Sequence, residues 1–476
     1  MLRAFSPVCR GLSAPDTIML KLSKSDADAC RWISAAAKEA GGRAYLVGGC
    51  VRDSLLGKPP KDIDIEIYGL TPAMVEKTLA RRFRFEMVGK SFGVWILKGF
   101  CIDVSVPRTE RKTGEGHRAF DVECDPFLSV EAACARRDFT INSMLCDCLT
   151  GEIVDPYGGR ADLERGILRH TSDKFAEDPL RVLRAMQFIA RFGLSPAPET
   201  VELCSKIPFE NLAPERVFEE WKKLLLKGSE ISGGLNFLRD CGWIKYFPEL
   251  AACSGCPQDP EWHPEGDVFV HTGFCLDHFA AHRTGDDRED LVVGLAVLCH
   301  DFGKPLCTAF GEDGKIHSYG HDVLGARPAR EFLGRMTREK SLVEEVVVLV
   351  ERHMAVLDLW RSGAGDSAIR RLARKVGRID RLVRVDDADR NGRPPLEPGD
   401  SPQGVWISER ARELSVRDSA PKPILMGRHL VSRGMRPSEK FKAILSAAYE
   451  AQLDGEFSDE AGALEWLGIF LREHGA

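Results

Sequence analysis

Hydrophobic and polar positions change period along this chain. Between Tyr45 and about Asp155, short β-branched runs ("AYLVGG", "DIDIEIYG", "GVWILKG", "CIDVSV") alternate with stretches of helical period. That alternation predicts a mixed α/β domain. After "DPYGGRADL" the strand signal fades, and from Asp178 to about Pro248 the pattern is helical, punctuated at "LSPAPET" and "LLLKGSEISGG". A further boundary falls in "CSGCPQDPEWHPEGD", beyond which an all-helical region runs to about Arg393. "NGRPPLEPGDSPQG" reads as a linker, and the last stretch is helical again. The expected class is α+β, divided into an extension (1–20), a strand-bearing domain (21–160), a helical neck (161–250), a helical domain (251–395) and a helical tail (396–476).

Within "DIDIEI" the alternation is strict. Ile63, Ile65 and Ile67 would fill one face of a strand, and Asp62, Asp64 and Glu66 the other. Asp is depleted in strands and neighbouring like charges repel, so something on that face should make the crowding worthwhile.

Composition narrows the class without naming a function. A chain of 476 residues is too long for one core, and 43% hydrophobic with 29% charged residues describes a globular protein. No apolar run is long enough to span a bilayer. The 15 cysteines are scattered, so reduced thiols and a cytoplasmic location are the simpler reading. Cys253 and Cys256 lack a second pair to complete a zinc site and read as a loop feature. A net charge of −6 argues against an indiscriminate polyanion binder. One run, "RRLARKVGRIDRLVR" from Arg370 to Arg384, is strongly basic and helical in period; alone it reads as a solvated helix face. The opening residues suit a disordered extension, or a start set upstream of a true beginning at Met19, better than a transit peptide.

The acids gain a context from what surrounds them. Gly48 and Gly49 follow a strand and precede a helical "VRDSLLG". Backbone amides at such a junction can hold phosphate oxygens, and Arg52 adds a fixed positive charge suited to a triphosphate. Asp62 and Asp64, spaced i, i+2, can share two Mg²⁺ ions, with Asp103 in "CIDVSVPR" the candidate third acid on a neighbouring strand. Such a set supplies positioning and charge neutralisation for phosphoryl transfer.

"GGCVRDSLLGKPPKDIDIEI" resembles the signature of nucleotidyltransferases whose catalytic domain is similar to that of DNA polymerase beta. Within them it resembles the family of class II tRNA nucleotidyltransferases (CCA-adding enzymes) and bacterial poly(A) polymerases. The resemblance implies a polymerase-beta-like head followed by helical neck, body and tail. It also implies Asp62 and Asp64 as metal ligands, and Gly49 and Arg52 as nucleotide contacts. "RRDFTINSM" is similar to the family's second motif, which makes Arg137 a contact to the nucleotide sugar, and "DPYGG" is similar to its hinge.

"EDPLRVLRAMQFIARF" resembles the helix that reads the incoming base. Pro179 suits the first helical position, and Asp178 and Arg181 neighbour each other at the helix start. Adenine and cytosine share an edge, an exocyclic amine beside a ring-nitrogen acceptor, that a carboxylate and a guanidinium would both satisfy. Guanine and uracil would mismatch both contacts. Arg184 continues the stripe. Gln187 departs from the family's pattern, which often has arginine there, and leaves the choice between C and A open. "ERKTGEGHRAF", after Arg108, reads as a mobile loop; in the family a loop in this region helps the switch from C to A.

The third region carries a second set of ligands: His271, the adjacent pair His300–Asp301, His321, His353 and Asp389. Imidazoles and carboxylates from several helices suit a hydrolytic metal site. Their order resembles the HD-domain phosphohydrolases, which implies phosphomonoesterase or cyclic phosphodiesterase activity with a transition metal or Mg²⁺. A degenerate scaffold for RNA is the alternative. His278 and His282 read as partly exposed bystanders. The tail and the Arg370–Arg384 run offer phosphate contacts that position tRNA by shape. The reading reached is addition of C, C and A to tRNA from CTP and ATP, with A-only, CC-only or poly(A) synthesis, or phosphohydrolysis as the main activity, as the rivals.

Overall fold

The computed structural model describes residues 22–88, 93–112, 120–312 and 314–474. The expectations for the N-terminal extension and for the tip of the loop after Arg108 lie outside them. The chain forms two compact units. The first runs to Leu224 and resumes over Gly228–Tyr246; the second takes Leu225–Lys227 and everything described from Phe247 onward.

Among the described residues, nine strands come before the helical part of the first unit: β1 (Arg43–Val47), β2 (Ile63–Tyr68), β3 (Phe85–Val88), β4 (Val94–Leu97), β5 (Ile102–Ser105), β6 (Arg108–Lys112), β7 (Phe120–Cys124), β8 (Leu145–Asp147) and β9 (Ile153–Val154). Seven of them form one mixed sheet in the order β3-β4-β5-β2-β1-β8-β9. β2 and β5 are parallel; β1 is antiparallel to both β2 and β8. β6 and β7 pair separately as an antiparallel ribbon. The alternation read in the sequence holds: Ile63, Ile65 and Ile67 are at most 3% exposed, while Asp64 between them faces solvent. Removing three isoleucine side chains from water supplies roughly 1.5–3 kcal/mol each, enough to hold β2 in register while its other face carries like charges. Asp62 sits one residue before β2 rather than inside it.

Helices follow: Gly159–Arg165, Leu180–Phe192, Pro198–Lys206, Pro214–Lys227 and Ile231–Asp240. The expected all-helical neck contains one exception, a two-residue parallel pairing of Ile167–Leu168 with Ser195–Pro196. In the second unit a small hairpin pairs Ala309–Phe310 with Ile316–His317, where glycine-rich sequence makes a turn rather than a helix. The remainder is helical, and the last helices, Glu439–Asp454 and Glu460–Glu473, pack around their own apolar cluster of Leu430, Ile444, Ala448 and Leu467.

Two expectations change. The break expected near 395 does not divide the second unit, because Ser401 and Gln403 beyond the linker donate hydrogen bonds to Asp386 before it. The basic run is two helices, Asp366–Val376 and Ile379–Asn391, parted at Gly377. Its arginines are engaged: Arg371 with Asp454 at 2.7 Å, Arg374 with Glu450, Arg378 with Asp380 at 2.7 Å, Arg381 with Glu289 at 2.7 Å and Arg384 with Asp290 at 2.6 Å. A run that looks like a phosphate-binding stripe in one dimension is largely a set of internal ion pairs in three.

Candidate functional sites

In the first unit, register brings the acids together. Asp64 on β2 is the direct partner of Asp103 on the parallel strand β5. Burial pushes the Asp64 carboxyl above the ordinary carboxylate value, Arg137 pulls it down, and Asp103, Asp62 and Glu66 push it up. Asp103 is raised by burial and by Asp62. Acids that raise one another on adjacent strands favour a cation on that face.

The glycine turn lies beside them. Gly48 has φ +71°, and a Cβ there would come within 3.1 Å of an Arg137 guanidinium nitrogen. The turn therefore needs a residue that is free at positive φ and leaves room for Arg137. Arg137 in turn reaches Glu66 at 3.5 Å. Gly49 starts the Gly49–Leu55 helix, on which Arg52 is 4% exposed. Arg52 differs from the expectation. Its guanidinium donates to Asp53 at 2.9 and 2.7 Å and to Asn142, and packs over Phe192 with 4.6 Å to the ring centroid. Its charge is directed inward, where it braces the turn.

The Leu180–Phe192 helix is anchored from its start. Asp178 accepts from the Leu180 amide at 3.1 Å and from Arg216 at 2.8 Å. Arg181 donates to the Lys174 and Arg136 carbonyls, each at 2.7 Å. Arg184 clasps Asp138 Oδ2 through two nitrogens, at 2.9 and 2.5 Å, while Asp138 Oδ1 accepts from Asn142 and from the Phe139 amide. Buried Asp138 is held below the ordinary carboxylate value: burial opposes ionisation, and Arg184 with Asn142 outweighs it. Asp138, Asn142 and Arg216 escaped the sequence reading; the only signal was that Asp138 and Asn142 lie in the second motif. Gln187 is 2% exposed, with its side-chain oxygen lacking a hydrogen bond, so it sits beneath the helix surface rather than on the base-reading stripe.

In the second unit all six expected ligands converge. His271 lies on the Val268–Ala281 helix, and His300 and His353 cap the ends of Asp287–Cys299 and Lys340–Arg352. His321 begins His321–Gly334, and Asp389 projects from Ile379–Asn391. His300, His321 and His353 each place Nδ1 within 2.8 Å of a backbone carbonyl, of Val297, Ser318 and Val350 respectively. A carbonyl only accepts, so Nδ1 carries the proton and Nε2 presents a lone pair inward.

The consequence is a cluster in which several acceptors face one another. The Nε2 atoms of His321 and His353 face each other at 3.1 Å, and His353 is pushed down to about 4 by burial and by its histidine neighbours, so it is neutral at pH 7. Asp301 Oδ1 lies 3.5 Å from His321, and neither it nor buried His300 Nε2 has a hydrogen-bond partner. His271 Nδ1 is 2.7 Å from Glu265, while its Nε2 faces Asp389 at 3.1 Å and Asp301 at 3.8 Å. A cation suits those facing acceptors. Among the described residues, Asp301–His321–His353 and His271–Cys275–His300–Asp389 each place ligand atoms within 4.8 Å of one another. Among the described residues, the acids of the first unit form no group this tight.

Other residues of this site went unnoticed in the sequence. Lys304, one turn after Asp301, sets its ammonium 2.7 Å from both Asp301 and Gln258. Cys275 lies in an apolar helical stretch with no local sign of a ligand. His278 binds Asp387 at 2.8 Å and stacks on His282, away from the cluster. A cleft of about 270 Å³ opens on the site, lined by His321, His353, Asp389, Lys304, Arg390 and Arg393 among others.

Comparison with known proteins places the chain. Residues 44–169 match the family model of the poly A polymerase head domain, and 193–253 match that of the probable RNA and SrmB-binding site of polymerase A. The Multifunctional CCA protein of Stenotrophomonas maltophilia (strain R551-3) is 38% identical over 394 residues, covering 79% of this chain and 93% of that protein. That of Laribacter hongkongensis (strain HLHK9) is 38% identical over 378 residues, covering 77% and 89%. Among solved structures, the Bacillus stearothermophilus CCA-adding enzyme in complex with CTP aligns over 95% of this chain and 99% of that one, with 25% identity and a TM-score of 0.64.

Proposed function

The chain belongs to the family of class II tRNA nucleotidyltransferases and bacterial poly(A) polymerases, and we propose that it adds C, C and A in turn to the 3′ end of tRNA from CTP and ATP, without a template, at the acidic face of its first unit. The observation that carries this reading is the direct pairing of Asp64 with Asp103 beside the turn that Arg137 flanks. Family members use divalent metal ions. Here Asp62 and Asp64 would hold Mg²⁺, which when bound lowers the pKa of the primer hydroxyl and neutralises the pyrophosphate.

The chain's own groups do the rest. Asp103 stands next to Asp64 as a carboxylate able to take the proton of the terminal hydroxyl. The Gly48–Gly49 turn would offer backbone amides to the triphosphate, and Arg137 would meet the sugar. At the start of the Leu180–Phe192 helix, Asp178 would accept from the base amine and Arg181 would donate to the ring nitrogen. Arg184, fixed on Asp138, holds the helix against the second motif. Buried Gln187 acts through packing and not as a base contact, which is why its departure from arginine is compatible with CCA synthesis. Among the described residues no helix is long and apolar enough to cross a membrane, and the free cysteines suit a cytoplasmic enzyme.

The test is primer extension on tRNA transcripts ending before CCA, after C and after CC, each with Mg²⁺ and CTP, ATP or both. Stepwise addition that stops at CCA is expected. Addition of A alone, or a ladder of A, would move the chain to the A-adding or poly(A) branch.

A second reading is carried by the unpaired acceptors of the other cluster. We infer that His271, His300, Asp301, His321, His353 and Asp389 hold metal in an HD-type phosphohydrolase site. Such an ion supplies an activated water. Lys304, Arg390 and Arg393 then offer positive charge to a phosphate in the cleft.

A further inference from the structure

The Val268–Ala281 helix presents a second potential ligand one turn beyond His271. Residues i and i+4 share a helical face, and Cys275 follows His271 by four. Its thiol sulfur is 3.3 Å from His271 Nε2 but 3.8 Å from Nδ1, so it stands on the side that faces the cluster and away from the Glu265 anchor. It is fully buried, and its ligand atom lies within 4.8 Å of those of His271, His300 and Asp389. The opposite wall makes room for it: a Cβ on Gly392 would fall 2.3 Å from the sulfur. Any side chain there would push the thiol out of the cluster.

We propose that Cys275 is a direct ligand of the ion held by His271, His300 and Asp389, and that this site therefore takes a thiophilic ion of the Zn²⁺ class in preference to Mg²⁺. The inference rests on reading the cluster as a metal site and adds to it a fourth, soft donor. A thiolate beside two imidazoles and a carboxylate matches Zn²⁺, Co²⁺ or Fe²⁺, whereas Mg²⁺ takes oxygen donors. On binding, the S–H bond breaks, its proton passes to solvent, and the sulfur lone pair forms the bond to the metal; no electron is transferred. Asp62, Asp64 and Asp103 of the first unit offer oxygen donors, so the two sites separate metals by donor chemistry.

The test is optical and independent of turnover. The metal-stripped full-length chain is titrated with Co²⁺ and its absorption followed in parallel with Cys275→Ser, Cys275→Ala and His300→Ala/Asp301→Ala. The wild-type protein should develop visible d–d bands together with a near-ultraviolet thiolate-to-cobalt charge-transfer band. Both Cys275 variants should lose the near-ultraviolet band while keeping visible bands, and should retain zinc against a chelator roughly tenfold less well. Visible bands without a thiolate band in the wild-type protein, or a thiolate band unchanged in both Cys275 variants, would overturn the assignment. Visible bands that persist in His300→Ala/Asp301→Ala would instead sink the metal-site reading on which it rests.

Discussion

The two sites use the same chemical groups in opposite ways. On the first unit, the Asp62 and Asp64 residues stand exposed at a sheet face, and the Asp64 carboxyl is raised by the burial of its inner side and by its acidic neighbours. In the second, His271, His300, Asp301 and His353 are at most 3% exposed, and backbone carbonyls fix three of the imidazoles with their lone pairs turned inward. The first arrangement suits an ion that arrives with a nucleoside triphosphate and keeps part of its water. The second suits an ion that stays. Openness and closure are thus readable from burial and anchoring before any ligand is bound.

That contrast predicts opposite stability costs. Asp301→Asn should destabilise the second unit by about 3–5 kcal/mol, because it strips the buried Lys304 ammonium of its counter-charge. Asp64→Asn should leave thermal stability within about 0.5 kcal/mol, or raise it, by relieving repulsion on a solvated face. Thermal denaturation of both variants without metal measures the difference. Equal costs would mean that the acidic face is as preorganised as the cluster.

A smaller effect sharpens the closed site through pH. Asp386, in its wall, is raised to about 6, by burial above all, despite hydrogen bonds from Ser401 and Gln403. The folded chain then binds its proton more tightly than the unfolded chain. The stabilisation is full below the ordinary carboxylate value of about 4 and is lost as pH rises through about 6. Relative to Asp386→Asn, the wild-type protein should lose up to about 3 kcal/mol between pH 4 and 7, read as the difference between their denaturation midpoints. A pH-independent difference would contradict this.

The smallest effect concerns RNA. Arg371 and Arg374 are already paired with Asp454 and Glu450, so Arg371→Ala/Arg374→Ala should weaken tRNA binding less than twofold and leave its salt dependence unchanged. A drop in the slope of log affinity against log salt by about two would show that both arginines exchange their acids for phosphates.

What was legible in the sequence follows the same division. Asp62, Asp64 and the glycine turn lie within one short stretch whose strict alternation survives in β2. The His300–Asp301 pair and its four companions sit at helix ends and turns that their own motifs mark. Partners brought close by long-range packing were invisible. Asn142 reaches Arg52 from 90 residues away, and Arg216 reaches Asp178 across 38. Nothing local says that Arg52 turns inward, or that the arginines of the basic run face acids up to 94 residues distant. Cys275 was hidden for another reason: a thiol in an apolar helix looks like core until the fold sets it beside His271.

The most direct test of the account compares CCA addition by three proteins on the same tRNA lacking its CCA end: wild type, Asp62→Ala/Asp64→Ala and His300→Ala/Asp301→Ala. Addition should fall more than about 10³-fold in the first variant and stay within about threefold of wild type in the second, since nucleotidyl transfer needs only the open acidic site. Addition that survives loss of Asp62 and Asp64, or that collapses with His300 and Asp301 while the folded structure is retained, would contradict the assignment of transfer to the first unit.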